Sequence, residues 1–148
     1  MTRLTARCDT SWRPMPATML IVDDHSGFRT MAMSIAKSAG YNVVGEAADG
    51  AEALSAVMAY RPDLLLLDIW MPILNGLEVL EHLGRAVQGV GLKVVVLSHQ
   101  GDSDMRLEGF ALGVVDYWTK DLSLAELSAR IESVLGSPSP ATESAVND

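Results

Sequence analysis

Leu64-Leu65-Leu66-Leu67-Asp68 is the stretch that decides the fold. Four consecutive leucines show no alternation between a wet side and a dry side. Such a strand is buried on both faces, as in parallel sheets covered by helices above and below. The same rhythm recurs outward from it. Met19-Leu20-Ile21-Val22 precedes a segment with Phe28, Met31, Ala32, Ile35, Ala36 and Ala39 at helix-face spacing, stopped by Gly40. Asn42 to Glu46 is a second strand candidate. A helix over Gly50 to Tyr60 follows, expected to bury Ala51, Leu54, Val57 and Met58 and broken by Pro62. After the leucines, a third helix carries Val79, Leu80, Leu83 and Val87, and Val94-Val95-Val96-Leu97 is the fourth strand. Leu107, Phe110 and Ala111 mark a fourth helix ended by Gly113, and Val114 to Trp118 is the fifth strand. The last helix carries Leu124, Leu127, Ile131, Val134 and Leu135. Five β-α units in alternation predict an α/β fold: a parallel five-stranded sheet with helices on both faces.

The 148 residues suffice for one domain with a real core and not for two. We place that domain at 18–136, between an N-terminal extension (1–17) and a tail (137–148), both expected to be disordered. Arg3, Arg7 and Arg13 near the start accompany no apolar core of a signal peptide. Nineteen acids against 11 lysines and arginines give a net charge of −8, which argues against direct nucleic-acid binding. No apolar run approaches the ~20 residues of a membrane span. The single cysteine, Cys8, cannot form an internal disulfide, so a cytoplasmic setting fits.

Parallel sheets of this kind bind ligands beyond the C-terminal ends of their strands. The residues found there are Asp23 and Asp24 after the first strand, Asp68 after the third, Ser98 after the fourth, and Thr119 and Lys120 after the fifth. Three carboxylates in one crevice repel each other unless a cation compensates. Oxygen ligands favour Mg²⁺. Lys120 supplies a point charge suited to a phosphoryl group and Ser98 a hydroxyl donor. Together these are the parts of a phosphoryl-transfer site. Each also has an ordinary reading: Asp23, Asp24 or Ser26 as a helix cap, Asp68 as a loop acid before Pro72, Lys120 as a surface charge, Tyr117 as a core aromatic. The agreement of four strand ends is what favours the site.

The chain resembles the receiver domain of bacterial two-component response regulators, of the chemotaxis-regulator kind, over Thr18 to Leu135. The resemblance rests on Leu-Ile-Val-Asp23-Asp24, on Leu-Leu-Asp68-Ile-Trp-Met71-Pro72 followed by Gly76, and on Ser98 and Lys120, spaced 30 and 22 positions on from Asp68 and Ser98. It implies a flavodoxin-like (βα)5 three-layer sandwich with strand order 2-1-3-4-5. It implies that Asp68 accepts a phosphoryl group from a sensor histidine kinase or a phosphotransfer protein. It further implies Mg²⁺ held by Asp24, Asp68 and the Trp70 backbone carbonyl, with Asp23 acting through water. Lys120 would bridge to Asp68 and then to the phosphoryl group. Ser98 would move to bond it and Tyr117 would swing inward, changing a face built from the fourth helix, fifth strand and last helix. A downstream protein would read that face, with Arg106, Glu108, Tyr117 and Arg130 as its markers, and a homodimer is left open. His25 and Lys120-Asp121-Leu122-Ser123 resemble the subfamily that carries a C-terminal helix-turn-helix; a single-domain regulator is the expectation here.

Two positions depart from the family pattern. Trp70 stands where a smaller or polar side chain is usual, and His99 where a small one is. Both flank the expected path of the phosphoryl donor and the hydrolytic water. The expectation is that they slow water attack and prolong the phosphoryl state; slower phosphorylation is the alternative. His99 also admits a metal-ligand or pH-sensing reading, and Gln100 could steer water. His82 reads as a surface residue, and Trp118 as packing on the strand face opposite Tyr117. Competing functions are a phosphorylation-independent adaptor and an aspartate-nucleophile phosphatase. The phosphatase would need a second aspartate at position 70. A flavin carrier is disfavoured, because Asp-Asp-His-Ser after the first strand would repel a flavin phosphate.

Overall fold

The computed structural model describes residues 17–84, 91–98 and 109–136, and the structural statements below concern these. Strands β1 (Thr18–Val22), β2 (Asn42–Ala47), β3 (Leu64–Asp68), β4 (Lys93–Ser98) and β5 (Asp116–Thr119) form one sheet. All neighbours pair in parallel, in the order β2-β1-β3-β4-β5. The helices are α1 (Ser26–Ser38), α2 (Gly50–Tyr60), α3 (Gly76–Leu83), α4 (described only over residues 109–111) and α5 (Leu124–Leu135). This is the order 2-1-3-4-5 that the family resemblance implies, in the parallel sheet that the alternation predicts.

β3 is the centre of the sheet, and every one of its residues is buried. Leu66 lies opposite Ile21 on one side and Val95 on the other. Side chains alternate across the pleat into two cores. Leu65 and Leu67 join Leu20, Val22, Val94 and Val96 under α2 and α3. Leu64 and Leu66 join Met19, Ile21, Val95, Leu97 and Trp118 under α1 and α5. Burying one leucine side chain fully is worth about 1.5–3 kcal/mol, so the run is an anchor for both layers. Each long helix has a side-chain cap: His25 for α1, Asp49 for α2, Asn75 for α3 and Ser123 for α5. The last two are reciprocal capping boxes with Glu78 and Glu126.

Several details differ from the expectations. Ala51 is exposed and Met58 is 64% exposed, whereas Gly50, Ala53 and Val57 face the core. α2 is apolar on nearly every side, so periodicity does not pick its buried face. Phe110 and Leu124, two of the apolar residues that mark the fourth and last helices, are exposed too. β5 begins at Asp116 rather than Val114. Val115 donates its N–H to Val94 at 2.8 Å just before the ladder starts. His82 lies on the surface and Trp118 is buried on the face opposite Tyr117, both as expected. Val87, Leu107 and the two terminal segments lie outside the described residues.

Candidate functional site

The C-terminal edge of the sheet gathers the strand-end polar residues. Asp23 follows β1, Asp68 ends β3 and Ser98 ends β4, and all three are buried. Asp24 is exposed at the rim. Carboxylate oxygens of Asp23, Asp24 and Asp68 all lie within 4.8 Å of one another. Lys120, just beyond β5, reaches into the cluster. Its Nζ is 2.6 Å from Asp23 Oδ2 and 3.1 Å from Asp68 Oδ1. The bridge expected to Asp68 is therefore shared with Asp23. Lys120 Nζ also sits 5.2 Å from the centre of the Phe28 ring, whose π face favours a cation.

Local backbone bonds fix these groups. Asp23 donates its N–H to Ala47 at 3.0 Å, and its Oδ1 accepts from the His25 N–H at 2.8 Å. Neither Asp nor Ser26 caps α1: His25 Nδ1 accepts from the Phe28 N–H, which frees both acids for the cluster. Lys120 donates its backbone N–H to Ser98 at 2.9 Å, tying the ends of β4 and β5 together. Gly76 opens α3 directly against the acceptor strand and donates to Ile69 at 2.7 Å. A Cβ at this position would come within 2.6 Å of the Asp68 carbonyl oxygen, so no larger residue fits.

Asp68 is 2% exposed, and its carboxyl is pushed up to about 6. Burial is the main cause and the neighbouring Asp23 the next, against the pull of Lys120. Asp23 Oδ2 and Asp68 Oδ1 are buried with no hydrogen-bond partner; the ammonium meets them only as ion pairs. Three carboxylates against one ammonium leave a local deficit of positive charge. Hard oxygen donors in that state suit a small divalent cation. The residues present thus fit Mg²⁺.

Trp70 is 51% exposed and stands at the mouth of the site. With Asp24, His25, Phe28, Lys120 and Leu122 it borders a cleft of about 580 Å³ that opens onto Asp68. Tyr117 is buried. Its ring lies against Phe110, and a Cβ on Gly109 would come within 2.7 Å of it. The expected modulators His99 and Gln100, and the face markers Arg106 and Glu108, lie outside the described residues. Arg130 is exposed on α5. Sequence reasoning missed the His25 cap, the Phe28 ring under Lys120 and the fit of Gly109 to Tyr117. A further residue it missed is Arg29, a cation in the first turn of α1 where the helix dipole disfavours one.

Comparison with known proteins gives a consistent picture. The family model described as the response regulator receiver domain matches residues 19–132. The phosphate regulon transcriptional regulatory protein PhoB of Pseudomonas aeruginosa is 35% identical over 123 residues, covering 83% of this chain and 53% of that protein. The response regulator MprA of Mycobacterium sp. strain KMS is 37% identical, covering 85% and 54%. The chain thus spans about half the length of the curated relatives it matches. Among solved structures, a CheY-like receiver domain protein from Methanospirillum hungatei aligns with a TM-score of 0.74 at 25% identity, covering 81% of this chain and 94% of that one. A structure titled as the CheX-CheY-BeF3-Mg+2 complex of Borrelia burgdorferi aligns with a TM-score of 0.74 at 28% identity, covering 81% and 90%. With the family model spanning the whole sheet and the acidic cluster at its edge, this chain belongs to the receiver-domain family of response regulators.

Proposed function

We propose that Asp68 accepts a phosphoryl group from a histidine kinase or phosphotransfer protein, in a Mg²⁺-dependent reaction, and that the change alters contacts with a downstream protein. One observation carries this reading: Asp68 is a buried carboxylate, 3.1 Å from an ammonium, with two further acids beside it and a cleft in front. An Asp68 oxygen attacks phosphorus, a P–O bond forms, and the P–N bond to the donor imidazole breaks. The leaving nitrogen keeps the electron pair and takes up a proton. Asp24, Asp68 and the Trp70 carbonyl would hold Mg²⁺, with Asp23 acting through water. When bound, the ion supplies positive charge to the acids and to the phosphoryl oxygens. Lys120 then serves the phosphoryl group, Ser98 donates a hydrogen bond to it, and Tyr117 follows Ser98 as the switch. The CheX-CheY-BeF3-Mg+2 complex of the Borrelia relative supports the Mg²⁺ reading.

The chain acts here as a phosphoacceptor rather than as a turnover enzyme. A phosphatase reading lacks the aspartate it needs at position 70. The half-exposed Trp70 beside the cleft supports a role in shielding the phosphoryl group from water, with slowed phosphorylation as the alternative. Output through α4, β5 and α5, to another protein or a second copy of the chain, is supported by exposed Phe110, Val115 and Leu124 on or beside those elements. Among the described residues no helix is long and apolar enough to cross a membrane.

The test is incubation with acetyl phosphate and Mg²⁺, followed by intact-protein mass spectrometry. The expected result is one added phosphoryl group that hydroxylamine removes, absent from Asp68→Asn and absent in EDTA. An unmodified parent protein would favour the phosphorylation-independent adaptor.

A further inference from the structure

Arg29 lies behind the acidic cluster and takes no part in the chemistry above. Its Nη1 donates to the Asp23 backbone carbonyl at 2.6 Å, and its Nε to Glu46 Oε1 at 2.7 Å. The side chain is 16% exposed, while Glu46, near the end of β2, is 46% exposed. The position is electrostatically awkward. Arg29 stands in the first turn of α1, where its N–H makes an early helical bond to His25 at 3.1 Å. The helix dipole is positive there and disfavours a cation. Two acceptors, one of them an anion, compensate.

The consequence falls on the turn between β1 and α1. Asp23 is held at four atoms: its N–H by Ala47, its Oδ1 by His25, its Oδ2 by Lys120 and its carbonyl by Arg29. The carbonyl is the atom that leads directly into Asp24. Asp24 is exposed, so packing does little to fix where its carboxylate points. We propose that Arg29 is a positioning residue for cation binding. Clamping the Asp23 carbonyl holds the turn so that the Asp24 carboxylate faces Asp23 and Asp68, and Glu46 orients the guanidinium. Only a forked donor reaches both acceptors at once, so lysine is a poor substitute. This inference rests on the Mg²⁺ reading above.

Charge and position make opposite predictions. Removing the Arg29 cation leaves the cluster more negative, which by Coulomb attraction alone tightens Mg²⁺ binding. Loss of positioning weakens it, and changes in groups that orient metal ligands typically cost about 10–100-fold in affinity. The experiment is a Mg²⁺ titration of Trp fluorescence, with Trp70 at the cleft as reporter, on the parent, Arg29→Ala, Arg29→Lys and Glu46→Ala. We expect Arg29→Ala to weaken binding about tenfold, the low end of that range, Arg29→Lys to restore it only partly, and Glu46→Ala to weaken it by less than Arg29→Ala does. Circular dichroism in EDTA shows which variants are folded. Should Arg29→Ala unfold, Arg29→Lys decides, because it keeps the positive charge and loses the fork. Unchanged or tighter binding in the folded variants overturns the positioning role while leaving the Mg²⁺ reading intact. A parent protein that does not respond to Mg²⁺ overturns both.

Discussion

At the residue scale, Asp68 destabilises the protein that carries it. Its carboxyl ionises near 6 in the fold, against an ordinary value of 3.8, because burial and Asp23 oppose its charge more than Lys120 supports it. Below the lower value both folded and unfolded chains hold the proton, and there is no cost. Between the two values the native state binds more protons than the unfolded chain, so stability falls as pH rises. Above about 6 the cost is complete. Asp68→Asn removes the charge and leaves Lys120 paired with Asp23. In EDTA at pH 7 we expect this variant to be more stable than the parent by on the order of 2 kcal/mol, read from urea melts. The gain shrinks toward zero as pH approaches about 4. A variant less stable than the parent at pH 7 contradicts the electrostatic account. The place of Asp68 at the sheet edge was legible because it ends a leucine strand and the other strand ends agree in carrying polar residues. Its altered ionisation was not, since it arises from Asp23 and Lys120, residues 45 and 52 positions away in the chain.

At the scale of elements, what the sequence shows depends on how sharply a pattern contrasts with its surroundings. β3 and β4 stand out because continuous Leu and Val runs have one explanation, burial on both faces. α2 does not stand out on any side: in Gly50-Ala-Glu-Ala-Leu-Ser-Ala-Val-Met-Ala-Tyr60 small apolar residues occupy most positions, and the sheet chose Gly50, Ala53 and Val57. Gly50 is at the contact because a Cβ there would come within 2.4 Å of Leu74. The loop from β3 to α3 hides a second feature. Pro72 marks a turn but not its hand. Ile73 takes up φ 72° and is 73% exposed, while the Leu74 N–H bonds back across it to the Pro72 carbonyl at 2.8 Å. A three-residue turn with positive φ is rare and strained, and a β-branched residue is poorly suited to it. Left-handed backbone costs a non-glycine residue about 1–2 kcal/mol, partly offset by the extra chain entropy that glycine loses on folding. Ile73→Gly is therefore expected to raise stability by about 0.5–1 kcal/mol. The urea midpoint should rise with an unchanged denaturant slope; a fall would mean that the isoleucine side chain packs favourably enough to outweigh the strain.

At the scale of the molecule, the sheet serves to concentrate charge that the unfolded chain keeps dispersed. Asp23, Asp24, Asp68 and Lys120 come from three separate β-α junctions and meet only because the strands are parallel and in register. That assembly was legible as a topology, since alternation of strands and helices sends every strand end to one edge. The sharing of Lys120 between two acids was not, because it depends on a side-chain path past Phe28. A cation that binds the assembled cluster and not the dispersed acids must stabilise the whole fold by mass action. At a free Mg²⁺ concentration 100 times its dissociation constant the gain is about 2.7 kcal/mol. For a domain near 120 residues we expect a rise in Tm on the order of 10 °C over the same protein in EDTA. Matched ionic strength from NaCl should give far less, because screening lowers repulsion without supplying a ligand for buried oxygens. Asp24→Asn and Asp68→Asn should each blunt the Mg²⁺ gain, although Asp68→Asn starts from a more stable apo protein. The two effects separate in one experiment: removing the buried charge raises the Tm measured in EDTA, and removing a ligand shrinks the distance between the EDTA and Mg²⁺ curves. Equal Tm values for the parent with and without Mg²⁺ would mean that Lys120 alone suffices to hold the three acids together, and the cluster would then be a structural ion pair rather than a cation site.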